Sequence, residues 1–312
     1  MRACVDIGGT KVSVTLNDGS MALQAHRSEP TAKSGSPEVV ARQVIRMVDA
    51  ACAEMGLDPQ SVTTAGVCAP GPFVRQADGT LALATPNLCG GLAVAPPAAQ
   101  GRAAPNDWRS VPLEGLLRQR FSRLRIENDG IAALEAERRW GALQGVEDCA
   151  YVTWSTGVGS GLCVGGRVLR GKHGNAGHFG HSFATDDEDA RCGCGNLGDL
   201  EALVGGLSIE RRFGLSAGAL MTRAEAGDAQ ALVRVDELCR ILGRGLYNLV
   251  AMLDLSRISL GGSVFLHHPM LLLPRLQAQI GGRLPSLTTG CALVTAGLGE
   301  RVGDFAALAL LD

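Results

Sequence analysis

The chain has 312 residues, of which 46% are hydrophobic, 19% charged and 4% aromatic, with 42 glycines. That length supports two domains with separate cores, and the composition is that of a loop-rich α/β enzyme, which excludes global disorder. A formal net charge of −2 offers no basic field to a polyanion, which argues against a nucleic-acid partner.

Arg2 to Ile7 reads as a strand and Val12 to Leu16 as a second one, followed by the turn residues Asn17, Asp18 and Gly19, so the chain opens on β-hairpin logic. No basic leader with a cleavage site precedes the first strand, so a reducing, cytoplasmic setting is expected. From Pro37 to Met55 the positions Val39, Val40, Val44, Ile45, Val48 and Ala51 recur at helical spacing, which predicts a helix ahead of a buried strand at Thr64 to Val67. Cys89 to Pro105 is dense in Gly, Ala and Pro and reads as a long loop, a candidate lid.

Leu124 to Ile126 predict a short strand running into Glu127-Asn128-Asp129, with helix-forming composition from Gly130 to Trp140. Ala150 to Trp154 and Gly161 to Val164 predict two strands around Ser155-Thr156-Gly157-Val158-Gly159, an echo of the N-terminal hairpin that suggests duplicated halves. Asp228 to Leu255 is a long amphipathic stretch, followed by a strand from Arg257 to Leu260 and then Gly261-Gly262-Ser263. The segment Gly245 to Leu255 is interrupted by Asn248 and Asp254 and is too short to cross a bilayer, so no membrane partner is expected. A last helix is predicted from Gly303 to Leu311, packing back on the first lobe.

Asp6-Ile7-Gly8-Gly9-Thr10-Lys11 sets a carboxylate at a strand end, then two glycines that let backbone amides approach an anion, then a hydroxyl and an ammonium. An ordinary hairpin turn has the same composition. The second glycine turn, Thr156 to Gly159, shifts the balance, because two such turns are what a clamped nucleotide needs. Neither has the strand-to-helix spacing of a Walker site. Asp129 is placed to accept a proton from an alcohol, and equally to cap the helix that follows. Most of the ten cysteines lie in apolar runs; only Cys192 and Cys194 cluster.

Asp6 to Lys11, Gly66-Val67-Cys68-Ala69-Pro70-Gly71-Pro72, Glu127-Asn128-Asp129, Ser155 to Gly159 and Gly195-Asn196-Leu197-Gly198-Asp199-Leu200-Glu201 stand in the order and spacing of the ROK family of sugar kinases. The chain resembles that family over nearly its whole length. The resemblance implies an α/β, actin-like ATPase fold of two ribonuclease H-like lobes with an interlobe active-site cleft. The lobes are expected at 1–122, joined by the helix at 303–312, and at 123–302. It further implies phosphoryl transfer from Mg²⁺·ATP to the 6-hydroxyl of a hexose or N-acetylhexosamine, with Asp129 as catalytic base. Gly71, Asn87, Asn128, His178, His181 and Glu201 would meet the sugar. Asp6, Gly8, Gly9, Thr10, Lys11, Thr156, Gly157, Val158, Gly159, Gly261 and Gly262 would serve ATP and its magnesium, and a homodimer through the second lobe is implied.

Two departures stand out. Most family members carry Glu where this chain has His178, and a third Cys where it has Asp199. Zinc on His181, Cys192, Cys194 and Asp199 is one reading, since carboxylate oxygen ligates zinc; a metal-free glycine loop is the other. The Gly-His-x-Gly-His form is similar to that of bacterial N-acetylmannosamine kinases, with glucose as the competing substrate and kanosamine, or a sugar-binding regulator without kinase activity, as alternatives.

Overall fold

The computed structural model describes residues 1–92 and 106–311, so most of the loop expected at 89–105 lies outside the described residues. Arg2–Ile7 (β1) and Lys11–Asn17 (β2) form an antiparallel hairpin, extended by Leu23–Pro30 (β3). Ala3, Val5, Ile7, Val12, Val14 and Leu16 are fully buried or nearly so, because this hairpin lies inside a sheet covered by helices. The helix Val39–Glu54 (α1) buries Val40, Val44, Met47, Val48 and Ala51 along one face, as the 3.6-residue period requires.

Thr64–Ala69 (β4) pairs in parallel with β1. Phe73–Arg75 (β5), Leu81–Leu83 (β6) and Val111–Pro112 (β7) make a small separate sheet, followed by the helix Glu114–Arg120 (α2). Arg123–Asn128 (β8) then pairs in parallel with β4, completing the order β3-β2-β1-β4-β8. Asp129–Trp140 (α3) follows without a linker.

The second sheet repeats the first. Cys149–Trp154 (β9) and Val158–Val164 (β10) are an antiparallel pair with Arg167–Val168 (β11) at the edge. The helices Leu200–Val204 (α4), Gly206–Phe213 (α5), Ala217–Glu225 (α6) and Ala229–Leu253 (α7) come next. Asp228 starts α7 by accepting the backbone N–H groups of Gln230 and Ala231 at 2.9 and 3.0 Å, a side-chain N-cap. Arg257–Gly261 (β12), Ser263–Leu266 (α8), Pro269–Ile280 (α9), Pro285–Thr288 (α10) and Ala292–Thr295 (β13) give the order β11-β10-β9-β12-β13, with β12 parallel to both β9 and β13. Two antiparallel pairings followed by two parallel ones, in the same order in each sheet, make the duplicated halves explicit.

The chain divides into two compact units, Met1–Glu135 with Arg170–Asn175 and Gly303–Asp312, and Ala136–Leu169 with Ala176–Val302. The boundary expected from the sequence lay at 122/123. β8 is hydrogen-bonded to β4, so Asn128 and Asp129 belong to the first unit. The closing helix Val302–Ala309 (α11) also belongs there, where Gly66 makes room for it: a Cβ on Gly66 would stand 2.3 Å from the Ala307 carbonyl oxygen.

One buried carboxylate organises the second unit. Glu137, on α3, is fully buried. It accepts the N–H groups of Ala142 at 2.8 Å, Gly297 at 3.0 Å and Leu298 at 2.8 Å, and the Ser259 hydroxyl at 3.2 Å. Four donors from three segments replace the water that an ionised carboxylate loses on burial. Glu137→Ala would orphan those donors and leave a cavity, a loss of about 3–5 kcal/mol. The expected outcome is a markedly lower thermal midpoint; a midpoint within a degree or two of the parent would contradict it.

Candidate active site

In the first unit the turn between β1 and β2 is drawn tight by the Gly8 N–H donating to the Lys11 carbonyl at 2.7 Å. Thr31 fixes it from outside, its hydroxyl donating to the Gly8 carbonyl at 2.7 Å and its N–H to the Thr10 carbonyl at 3.0 Å. Gly9 is pressed on Asn87, since a Cβ there would lie 2.9 Å from the Asn87 Cβ. The turn's glycines are thus required by space, and the turn brings Asn87, a residue distant in sequence, to the same place.

Asp6, at the end of β1, is half-buried, and its pKa is pushed from 3.8 up to about 7. Desolvation is the main cause; Asp129 and Asp304 add repulsion, and Lys11 opposes them. Asp129 opens α3. It is reachable by solvent yet desolvated by surrounding protein, which raises its pKa, while hydrogen bonds from the Gly130 N–H and from Asn128 pull the other way. A carboxylate with a raised pKa is a stronger base once ionised. The crowding of Asp6 with Asp129 and Asp304 suits an oxygen-seeking divalent cation, so the donor set fits magnesium.

Buried Glu127, immediately before Asn128, would be a liability without a counter-charge. Arg170 supplies it, Nε to Oε2 at 2.6 Å, and also pairs with Glu135 on α3. Asn175 then clamps Phe73 by accepting its N–H at 2.7 Å and donating to its carbonyl at 2.8 Å. Gly71 is half-buried just before that clamp. The segment Arg170–Asn175 thereby braces the strand that carries Asp129, a role with no local signal in the sequence.

In the second unit the turn Ser155–Gly159 joins β9 to β10. Its Val158 N–H donates to Glu201 Oε2 at 2.9 Å, and a Cβ on Gly157 would lie 2.4 Å from that oxygen. Gly206, which begins α5, donates its N–H to the Ser155 carbonyl at 2.8 Å, and Leu207 to that of Thr156 at 3.3 Å. The start of α5 is thereby tied to the turn. Gly262 has φ +85° and would place a Cβ 2.4 Å from the Trp154 carbonyl oxygen; Gly261 would meet the Tyr151 hydroxyl, also at 2.4 Å. The Ser155 and Ser263 hydroxyls are 3.0 Å apart. Thr156 to Gly159, Gly261 and Gly262 are therefore neighbours in this unit. Gly205, Gly206 and Ser263 join them without having been expected there; the adjacent glycines at 205 and 206 are the local signal that marks the place.

Glu201 is brought to the turn and to the cysteine cluster, where Cys192 Sγ donates to its Oε1 at 3.4 Å. His178 and His181 stack with centroids 5.8 Å apart. Desolvation and the neighbouring His181 lower the His178 pKa, and its Nε2 is enclosed without a hydrogen-bond partner among the described residues.

His181, Cys192, Cys194 and Asp199 present ligand atoms all within 4.8 Å of one another. His181 Nδ1 lies 3.1 Å from Asp199 Oδ2, 3.6 Å from Cys194 Sγ and 3.9 Å from Cys192 Sγ, and Cys194 Sγ lies 3.6 Å from Asp199 Oδ2. A tetrahedral zinc with ordinary bond lengths needs ligand-to-ligand edges of about 3.3–3.8 Å, so the donor set fits the ion. Without metal the Asp199 carboxylate, helped by Cys194, holds the His181 pKa up to about 10, so zinc would displace a proton there. Asp199 also serves the fold, since its Oδ1 accepts the Ala202 N–H at 2.8 Å and caps α4.

A model of the ROK family matches residues 2–312. The chain is 33% identical over 226 residues to a glucokinase of Aeropyrum pernix, covering 64% of this chain and 70% of that one. It is 32% identical over 267 residues to an N-acetylmannosamine kinase of Shigella boydii, covering 83% and 82%. Among solved structures, a ROK hexokinase from Thermus thermophilus matches with a TM-score of 0.77 at 31% identity, over 99% of this chain and 97% of the other. A ROK family glucokinase from Streptomyces griseus in complex with glucose and AMPPNP matches with a TM-score of 0.72 at 25% identity, over 99% and 98%.

The carboxylate pair and the metal cluster can each be tested. Because folding raises the Asp6 pKa, the folded state holds that proton more firmly. Asp6's stabilising contribution is present below the ordinary carboxylate value and lost as pH rises through about 7. In magnesium-free buffer, Asp6→Asn is expected to flatten the decline of thermal midpoint between roughly pH 4 and pH 7; an unchanged slope contradicts the assignment. Asp199→Asn keeps a capping side chain but removes an anionic metal ligand, so elemental analysis should fall from about one zinc per chain to well below one. Equal zinc in both proteins, or none in the parent, counts against the metal reading.

Proposed function

This chain belongs to the ROK family, and from that premise we propose that it is a sugar kinase transferring the γ-phosphoryl group of ATP to the 6-hydroxyl of a hexose or N-acetylhexosamine. Its fold is the actin-like ATPase fold. The observation that carries the proposal is Asp129, a desolvated carboxylate at the end of β8 in the same unit as Asp6 and the Gly8–Lys11 turn. The similarity to a glucokinase and to an N-acetylmannosamine kinase supports a hexose-type acceptor.

Phosphoryl transfer asks a protein chiefly for alignment, charge neutralisation and a proton acceptor. Asp129 takes the proton from the attacking hydroxyl, and the Gly130 N–H holds its Oδ1 at 2.8 Å. Asn128, buried at the same strand end, orients the sugar together with Gly71, Asn87, His178, His181 and Glu201. Lys11 and the backbone amides of the first turn hold phosphate charge, as do Thr156 to Gly159 with the start of α5, and Gly261 and Gly262 flank the adenosine. Magnesium held through Asp6 would neutralise charge on the phosphates, and zinc on His181, Cys192, Cys194 and Asp199 would fix the loop that carries His178.

An N-acetylhexosamine is the preferred acceptor. An imidazole N–H at position 178 can donate to an acyl carbonyl, whereas a carboxylate at that position accepts only. Asp129→Asn is expected to retain sugar affinity within a few-fold and to lower kcat by about 10²–10⁴-fold. A coupled assay on glucose, mannose, fructose, N-acetylglucosamine, N-acetylmannosamine and kanosamine tests both points. Near-normal turnover by the variant overturns the base assignment, and no turnover of any sugar by the parent overturns the kinase reading.

A further inference from the structure

The second unit contains a cavity of about 500 Å³ that shares no residue with the glycine turns or the cysteine cluster. Its walls follow from a close helix contact. Gly243 of α7 packs so tightly on α9 that a Cβ there would stand 2.3 Å from the Gln279 Cβ. The next residue of α7 is Arg244, and one turn beyond Gln279 is Arg283, whose Nε donates to the Gln279 carbonyl at 2.6 Å. Both arginines line the cavity.

Neither guanidinium forms an ion pair among the described residues. Two planar cations lining one space suit an oxyanion, which a guanidinium meets bidentately. The remaining lining is mixed: Leu200, Ile241, Tyr247 and Phe183, the last 80% exposed, stand beside the polar Ser182, Thr185 and Asn248. The volume falls within the range of small-molecule sites. Asp186 also lines the cavity, and its charge opposes an anion.

We propose that this cavity binds a small organic oxyanion carrying a flat apolar portion, an aryl phosphate in chemical class. The anionic group lies on Arg244 and Arg283, and the flat portion lies against Phe183 and Tyr247. The proposal rests on the second unit alone and stands whether or not the chain proves to be a kinase. Ser182 and Leu200 in the cavity wall are chain neighbours of His181 and Asp199, and the Leu200 N–H donates to the Ser182 carbonyl at 2.9 Å. Occupancy is thereby tied to the loop that presents the candidate metal ligands.

The test is calorimetric titration of the full chain with phenyl phosphate, in the presence of a saturating non-hydrolysable ATP analogue that occupies the nucleotide turns. Inorganic phosphate and phenol serve as separate arms. One site per chain is expected, with phenyl phosphate binding more tightly than either fragment. Arg244→Ala and Arg283→Ala should each weaken it by about tenfold or more, equivalent to one decade in Kd, and Asp186→Asn should tighten it. Absence of binding by the parent overturns the proposal, and so does binding that both arginine variants retain or that the ATP analogue abolishes. Sedimentation adds one more: if Arg244→Ala splits an oligomer while no anion binds the parent, the cavity belongs to a protein interface and the proposal falls.

Discussion

The site depends on close backbone approach, which only glycine permits. At Gly157, Gly261 and Gly262 a single added carbon would fall within 2.4 Å of an atom already in place: a carboxylate oxygen, a phenol oxygen and a main-chain oxygen. Gly66 does the same for α11 in the first unit. These contacts let a turn, a helix start and a strand end share one small volume. Glycine in a strand or turn carries an entropic cost, and here the gain is the close packing of turn, helix start and strand end.

The second constraint is desolvated negative charge, handled differently at each position. Glu137 is satisfied by four hydrogen-bond donors and Glu127 by Arg170. Desolvation raises the pKa of Asp6, Asp129 and Glu127 alike, but of the three only Glu127 is hydrogen-bonded to an arginine among the described residues. Buried carboxylates that serve the fold are fully partnered, whereas those proposed to serve the reaction keep capacity for a cation or a proton. The same contrast separates Asp199, whose two oxygens cap a helix and face His181, from His178, whose enclosed nitrogen has no partner.

Local patterns in the sequence specified the strand, turn and helix that each motif sits on. The hairpin with its Asp6–Lys11 turn, α1, the helix after Asp129 and the long α7 are written in period and punctuation within windows of under about 30 residues. The pair Cys192 and Cys194 was also legible as a cluster, and the resemblance to the family added His181 and Asp199 to it.

Tertiary structure decided everything that depends on which strand pairs with which. β8 joins β4 through parallel hydrogen bonds that set Arg123 beside Thr64, residues far apart in the chain, and that pairing alone assigns Asp129 to the first unit. Gly205 and Gly206 beneath the second turn, Arg170 beside Glu127 and Glu137 under Gly297 are likewise contacts across long stretches of sequence. Periodicity reports which face of an element is buried; it carries no information on what the buried face will meet, since that is set by sheet order and register over the whole fold.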